Sequence, residues 1–154
     1  MKTTNFKSRE SGEMLPVIIV LILLLGGGLW WLNSHKQAMD KQGRGFGHEM
    51  INRIVLNYDQ AFLASNLSPQ TKLDLPPSDQ QALMTQLRQL GQPAQPFQVD
   101  EGMTWESQFF EPRGTFTAHL NYPAGPGTLL IMIDHPVSKW QVTQLSFAGP
   151  SMAR

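Results

Sequence analysis

Cysteine is absent from the 154 residues, so no disulfide framework, thiolate metal site or cysteine nucleophile is available to the chain. An excess of either charge is missing as well: Lys and Arg total 12, Asp and Glu total 12. That balance excludes the basic footprint of a nucleic-acid-binding surface and the acidic run of an interaction tail, and nucleic acid is not an expected partner. The four histidines, His35, His48, His119 and His135, are scattered, and no pair has the spacing of a helical zinc site. Neither a metal nor a cofactor is expected. There is no Gly-rich loop leading into a helix to cradle phosphate, and no serine in a nucleophile-elbow context. Asp134 and His135 are neighbours in sequence, which on extended backbone turns their side chains apart and disfavours a catalytic dyad. The expectation is a protein that is not an enzyme.

What the chain does have is one long apolar run, Met14 to Asn33, reading MLPVIIVLILLLGGGLWWLN. Leu15 to Leu32 carries no charge, and at 1.5 Å of rise per residue it covers roughly 27 Å as a helix, close to the hydrocarbon thickness of a bilayer. It reads as a transmembrane helix with the lipid bilayer as its first partner. A cleaved signal peptide is the rival reading, but Leu29, Trp30, Trp31 and Leu32 are poor neighbours for a small-x-small cleavage site. Trp30 and Trp31 fit an interfacial aromatic belt, with ring in lipid and N–H near water. Gly26, Gly27 and Gly28 allow close approach of a second helix. For orientation, Lys2, Lys7 and Arg9 before the run nearly cancel Lys36, Lys41 and Arg44 after it. A short tail, one anchor and a long C-terminal domain place the tail in the cytoplasm; in a bacterium that means an inner-membrane protein with a periplasmic domain.

The organisation that follows is a tail over 1–13, a transmembrane helix over 14–33, a linker over 34–47, a domain over 48–148 and a tail over 149–154. The remainder after the anchor, about 120 residues, suffices for one small core. In the linker, Gly43, Gly45 and Gly47 each cost a helix about 1 kcal/mol relative to Ala, so a hinge is expected there. Ile51, Ile54, Val55, Tyr58, Phe62 and Leu63 recur at helical spacing and predict one amphipathic helix from His48 to Ser65, ended by Asn66 and Pro69. A loop precedes the second helix, Pro76 to Gly91, with Ser78 as cap, Gln81 completing a capping box and Gly91 as stop. Beyond it the period changes to two. A short strand at Phe97 and Val99, a second from Met103 to Phe109, and the alternation of Phe116, Ala118, Leu120 and Tyr122 predict successive strands. Pro123 to Gly127 reads as a turn, TLLIMID as a central strand, and the parity change between Val142 and Leu145 as a β-bulge near Thr143 and Gln144. The fold class is α+β, two helices packed on an antiparallel meander of four to five strands.

QLRQLG, RGTFTAHLNYP, GTLLIMID and KWQVTQLSF together resemble small NTF2-like or cystatin-like domains. The anchored arrangement resembles single-anchor cytochrome oxidase assembly factors, which implies an accessory or assembly protein whose domain binds a protein partner in a membrane complex. NTF2-like relatives can hold a pocket between sheet and helices, which would here involve Tyr58, Glu106 and His119 with Trp105 as wall, and would imply ligand binding or catalysis instead. At the N-terminus, Arg9, Gly12 and the apolar run resemble the leader of type IV pilin-like proteins. That resemblance implies a component of a surface filament or secretion apparatus, although Glu13 and Val17 depart from the hydrophobic first and acidic fifth mature positions of the family.

Overall fold

The structure is a computed structural model and describes residues 11–106, 111–136 and 138–150. It has the element order α1 (Ser11–Val55), α2 (Gln60–Asn66), α3 (Pro69–Asp74), α4 (Pro77–Leu90), β1 (Gln98–Trp105), β2 (Pro112–Tyr122), β3 (Gly125–Asp134) and β4 (Gln141–Ala148). The chain divides into two compact units between Gln37 and Ala38.

The first unit is the apolar part of α1. From Leu15 to Trp31 its large side chains are exposed, from 49% for Ile19 to 72% for Trp30, and Leu32 is half-buried. Apart from the helix's own adjoining backbone, nothing among the described residues lies within 4 Å of where a Cβ would stand on Gly26, Gly27 or Gly28. The helix is long and apolar enough to cross a membrane.

The second unit is an α+β domain built on an open four-stranded antiparallel sheet in the order β1-β2-β3-β4. The strand count is the lower of the two expected. Phe116, Ala118, Leu120 and Tyr122 of β2 and Leu129, Ile131 and Ile133 of β3 are buried on one face, against Met50, Ile51, Ile54 and Val55 of α1, Leu63 of α2 and Met84 and Leu87 of α4. The strict alternation along β2 is what a sheet with one covered face requires. β3 lies between two strands as its apolar sequence implies, but only one of its faces is buried; Leu130 and Met132 are half-exposed on the other. The expected bulge is present: Met132 pairs with Gln144 and Ile133 with Val142, leaving Thr143 as the extra residue. The hairpin before it is tighter than expected, because Tyr122 pairs with Gly125 and only Pro123 and Ala124 make the turn.

Five local expectations are corrected. The expected linker over 34–47 is helical, and α1 continues to Val55 without a hinge. Gly43 and Gly47, one turn apart, face the sheet. A Cβ on Gly43 would stand 2.7 Å from both Met103 and Trp140, and one on Gly47 would meet the Phe116 ring. Two glycines cost the helix about 1 kcal/mol each in propensity, which burying Phe116 beneath Gly47 and Trp140 beneath Gly43 offsets, at about 1.5–3 kcal/mol for a buried Phe alone. The helix expected from His48 to Ser65 is instead two. Tyr58 takes a left-handed φ of 53°, the Asp59 amide donates to the Arg53 carbonyl at 3.0 Å, and the Asp59 carboxylate then caps α2 by accepting from the Phe62 amide at 2.9 Å. The loop expected after Asn66 contains α3, capped by Ser68, whose hydroxyl accepts from the Thr71 amide at 3.1 Å, with Pro69 at the first helical position. The Ser78 capping box does not form: α4 starts from Pro76 with no side-chain cap, and the Ser78 hydroxyl donates to Asp79 instead, while Gly91 stops the helix as expected. The two strands expected between Phe97 and Phe109 are one, β1; Ser107, Phe109 and Phe110 lie outside the described residues.

Candidate functional site

The four-residue period of α1 places Asp40, Arg44, His48, Asn52 and Leu56 in one row along the helix. That row lies beside β1, running opposite to it. The Trp105 indole donates to Asp40 at 3.0 Å, Arg44 and His48 both reach Glu101, the latter at 2.9 Å, and Asn52 and Leu56 line a groove of about 290 Å³ with His48, Gln95, Pro96, Phe97 and Val99. The His48 ring also meets Phe116 edge-on, with centroids 6.0 Å apart.

Glu101 faces α1, so the next residue back along the strand points to the other side of the sheet. There the Asp100 carboxylate lies 2.9 Å from His119 Nε2 of β2 and accepts from the Gln98 amide at 2.9 Å. Hydrogen bonds from His119 and Gln98 hold the Asp100 carboxyl below its ordinary value. Burial alone would raise Glu101, but the hydrogen bonds from His48 and Arg44 outweigh it and hold this carboxyl low as well. Both carboxylates of β1 are therefore ionised and each is engaged within the chain, one on each face of the sheet.

The two sheet edges differ. On the outer side of β4, Leu67 forms a parallel bridge with Val142, the Ser68 amide donates to the Val142 carbonyl at 2.8 Å, and the Thr71 hydroxyl donates to the Thr143 carbonyl at 2.8 Å. On the outer side of β1, no strand pairs among the described residues. β1 also lacks the usual protections of an edge: its eight residues, QVDEGMTW, contain no proline and no Lys or Arg, and its register with β2 runs without a bulge.

The four residues expected around a pocket do not converge. His119 is on the open face of the sheet with Asp100. Trp105 is on the α1 side, bonded to Asp40. Glu106, just past β1, pairs with Arg113. Tyr58 is in the turn between α1 and α2, with the Arg88 guanidinium 5.8 Å from its ring centroid. The space between sheet and helices where a ligand would sit is filled by Phe116, Leu120, Leu129 and Ile131, all 1% exposed or less. Among the described residues no three His, Asp or Glu side chains come together to hold a metal ion, and neither His48 nor His119 is bonded to a hydroxyl that could serve as nucleophile. The arrangement can clamp a strand and present its edge.

Sequence reasoning passed over this row. Arg44 read as a linker residue and His48 as the first residue of a separate helix once a hinge was expected at the glycines, although the spacing of Asp40, Arg44 and His48 is itself helical. The Asp100-Glu101 pair had a legible feature too, since adjacent strand residues must face opposite sides. Comparison with family models, curated proteins and solved structures finds no match to this chain.

Proposed function

We propose that the chain is a single-pass membrane protein of accessory or assembly type, without enzymatic activity, whose α+β domain lies on the periplasmic side of a bacterial inner membrane and binds a protein partner there. The observation that carries this reading is the first unit: an unbroken apolar helix from Leu15 to Trp31 whose large side chains are all about half exposed or more. Each large aliphatic side chain left in water rather than in an apolar medium costs about 1.5–3 kcal/mol, so the eleven of them support residence in lipid. Within the domain, a filled core and an open strand edge support protein binding over ligand turnover. They also support the cystatin-like arrangement over the NTF2-like one, which would leave a pocket under the helices.

Absence of cysteine makes the topology directly testable. A Ser146→Cys variant in intact cells with a permeabilised outer membrane should react with a membrane-impermeant maleimide, and a Ser8→Cys variant should react only after lysis. The opposite pattern, or labelling of neither before lysis, would refute a periplasmic domain. Crosslinking in intact membranes that returns no repeated partner would refute the accessory role.

One observation favours a second reading, a pilin-like component of a filament or secretion apparatus. α1 is a single helix of 45 residues where an accessory protein on a hinge would show a break. This reading requires a mature chain that begins at Glu13, and the intact mass of the membrane-extracted protein decides it: a chain beginning at Met1 excludes leader removal.

A further inference from the structure

We infer that the outer edge of β1 is the docking site for an extended, basic segment of a different protein, which adds as a fifth strand to the sheet. The inference rests on the reading above that the domain binds a protein partner, and it names the surface and the chemistry of what binds.

Three features of the edge point to it. First, β1 is the one of the two sheet edges that no other element pairs with among the described residues, so a row of main-chain donors and acceptors remains for an incoming strand. Second, the Leu56, Pro96, Phe97 and Val99 side of the groove beside the edge offers apolar contact for one side chain of that strand. Third, charge selects the occupant. β1 carries Asp100 and Glu101 and no Lys or Arg, while Glu106 just past it is paired with Arg113. A second copy of this chain, pairing antiparallel over all eight residues, would set Asp100 opposite Met103 and Glu101 opposite Gly102. Asp100 of each copy would then lie diagonal to Glu101 of the other at about 7–8 Å, a like-charge approach on both sides of the ladder. Because the two carboxylates lie on opposite faces, a strand bearing Lys or Arg at alternate positions sets its cations beside Asp100 on the open face and its apolar residues toward the groove. The charged groups that already face the two carboxylates are Arg44 and His48 from α1 and His119 from β2. All three side chains are 43–49% exposed, so an incoming cation shares the carboxylates without displacing buried partners.

The test uses the full chain in zwitterionic detergent micelles and two synthetic peptides of about the length of β1, one alternating Lys and Val, the other Glu and Val, with amide hydrogen exchange as readout. The Lys-Val peptide should slow exchange over residues 98–105 by about tenfold or more, leave 141–148 unchanged, and lose affinity by about fivefold in an Asp100→Asn, Glu101→Gln variant whose circular dichroism matches the parent. A Val99→Pro variant, which removes one outward-facing amide of β1 without altering charge, should also lose the protection. No slowing at β1, equal slowing by the Glu-Val peptide, or β1 protection that grows with protein concentration in the absence of peptide each overturns the inference, the last by assigning the edge to a second copy. If β1 takes no strand while membrane crosslinking still returns a repeated partner, the edge assignment fails and the accessory reading stands; if crosslinking also returns none, both fail.

Discussion

Gly45 and Gly47 stand two residues apart in the same helix, and replacing each with alanine should move stability in opposite directions. Apart from the helix's own adjoining backbone, a methyl on Gly45 would have no atom of the described residues within 4 Å, so Gly45→Ala should return the helix-propensity difference, about 0.5–1 kcal/mol of stabilisation. At Gly47 the same methyl would fall within 2.6 Å of three atoms of the Phe116 ring, and that ring is fully buried. Overpacking of this kind costs about 1–3 kcal/mol. Set against the same propensity gain, Gly47→Ala should be net destabilising by about 1–2 kcal/mol. Thermal unfolding of the full chain in detergent, followed by near-ultraviolet circular dichroism of the buried Trp140, converts these to a rise of about 2–4 °C for Gly45→Ala and a fall of about 4–8 °C for Gly47→Ala. The double variant Gly47→Ala, Phe116→Leu should recover part of the loss by removing the ring that clashes. Equal rises at both positions would refute the close seating of α1 on the sheet and restore the hinge.

Three further outcomes follow from the same structure. Ser68→Ala should destabilise by about 1 kcal/mol through loss of the α3 cap, whereas Ser78→Ala should leave the midpoint unchanged because its hydroxyl caps nothing; denaturant titration of both variants checks the contrast. Tyr122 is buried with its hydroxyl unpaired among the described residues, and burial, with the neighbouring Tyr58, pushes its pKa from 10.0 up to about 12. The folded chain thus holds the Tyr122 proton more tightly than the unfolded chain, so this contribution is complete below pH 10 and is lost as pH rises toward 12. Tyr122→Phe should remove that alkaline loss and, at neutral pH, be neutral or stabilising by up to about 1 kcal/mol, since it deletes an unsatisfied buried group. Asp100 and Glu101 carry the opposite sign. Their carboxyls are held below the ordinary values of 3.8 and 4.5, so the stability they contribute is present above those values and is lost as pH falls through their lowered ones. Stability curves of the Asp100→Asn, Glu101→Gln variant should be flatter than the parent's in that acidic range.

Much of the domain was legible because its signals are periodic and local. The alternation from Phe116 to Tyr122 gives β2 and its buried face directly, and the parity change before Leu145 gives the bulge at Thr143. Gly91 stops α4 because a glycine with positive φ is the cheapest helix end, and nothing tertiary competes. The failures share one cause, which is that tertiary contacts decide what a local rule leaves balanced. Gly43 and Gly47 look like helix breakers until Phe116 and Trp140 are known to lie beneath them, and those partners are about 70 to 97 residues away in sequence. Ser78 matches a capping-box pattern, yet Pro77 takes the first helical position and moves the start of α4 two residues earlier than a Ser78 cap allows. At the candidate site, spacing alone places Asp40, Arg44 and His48 in one row, and strand parity alone separates Asp100 from Glu101. What neither supplies is which strand lies beside the row, and without that the edge of β1 is invisible.

The central claim, that the segment from Leu15 to Leu32 resides in lipid, is tested most directly by floating carbonate-washed membranes from expressing cells through a density gradient and probing for the full chain. Residence in lipid predicts that the protein rises with the bilayer after the alkaline wash and moves to the soluble fraction when Leu21 and Leu24 are both replaced by Arg. Recovery of the unaltered chain among the soluble proteins would contradict it.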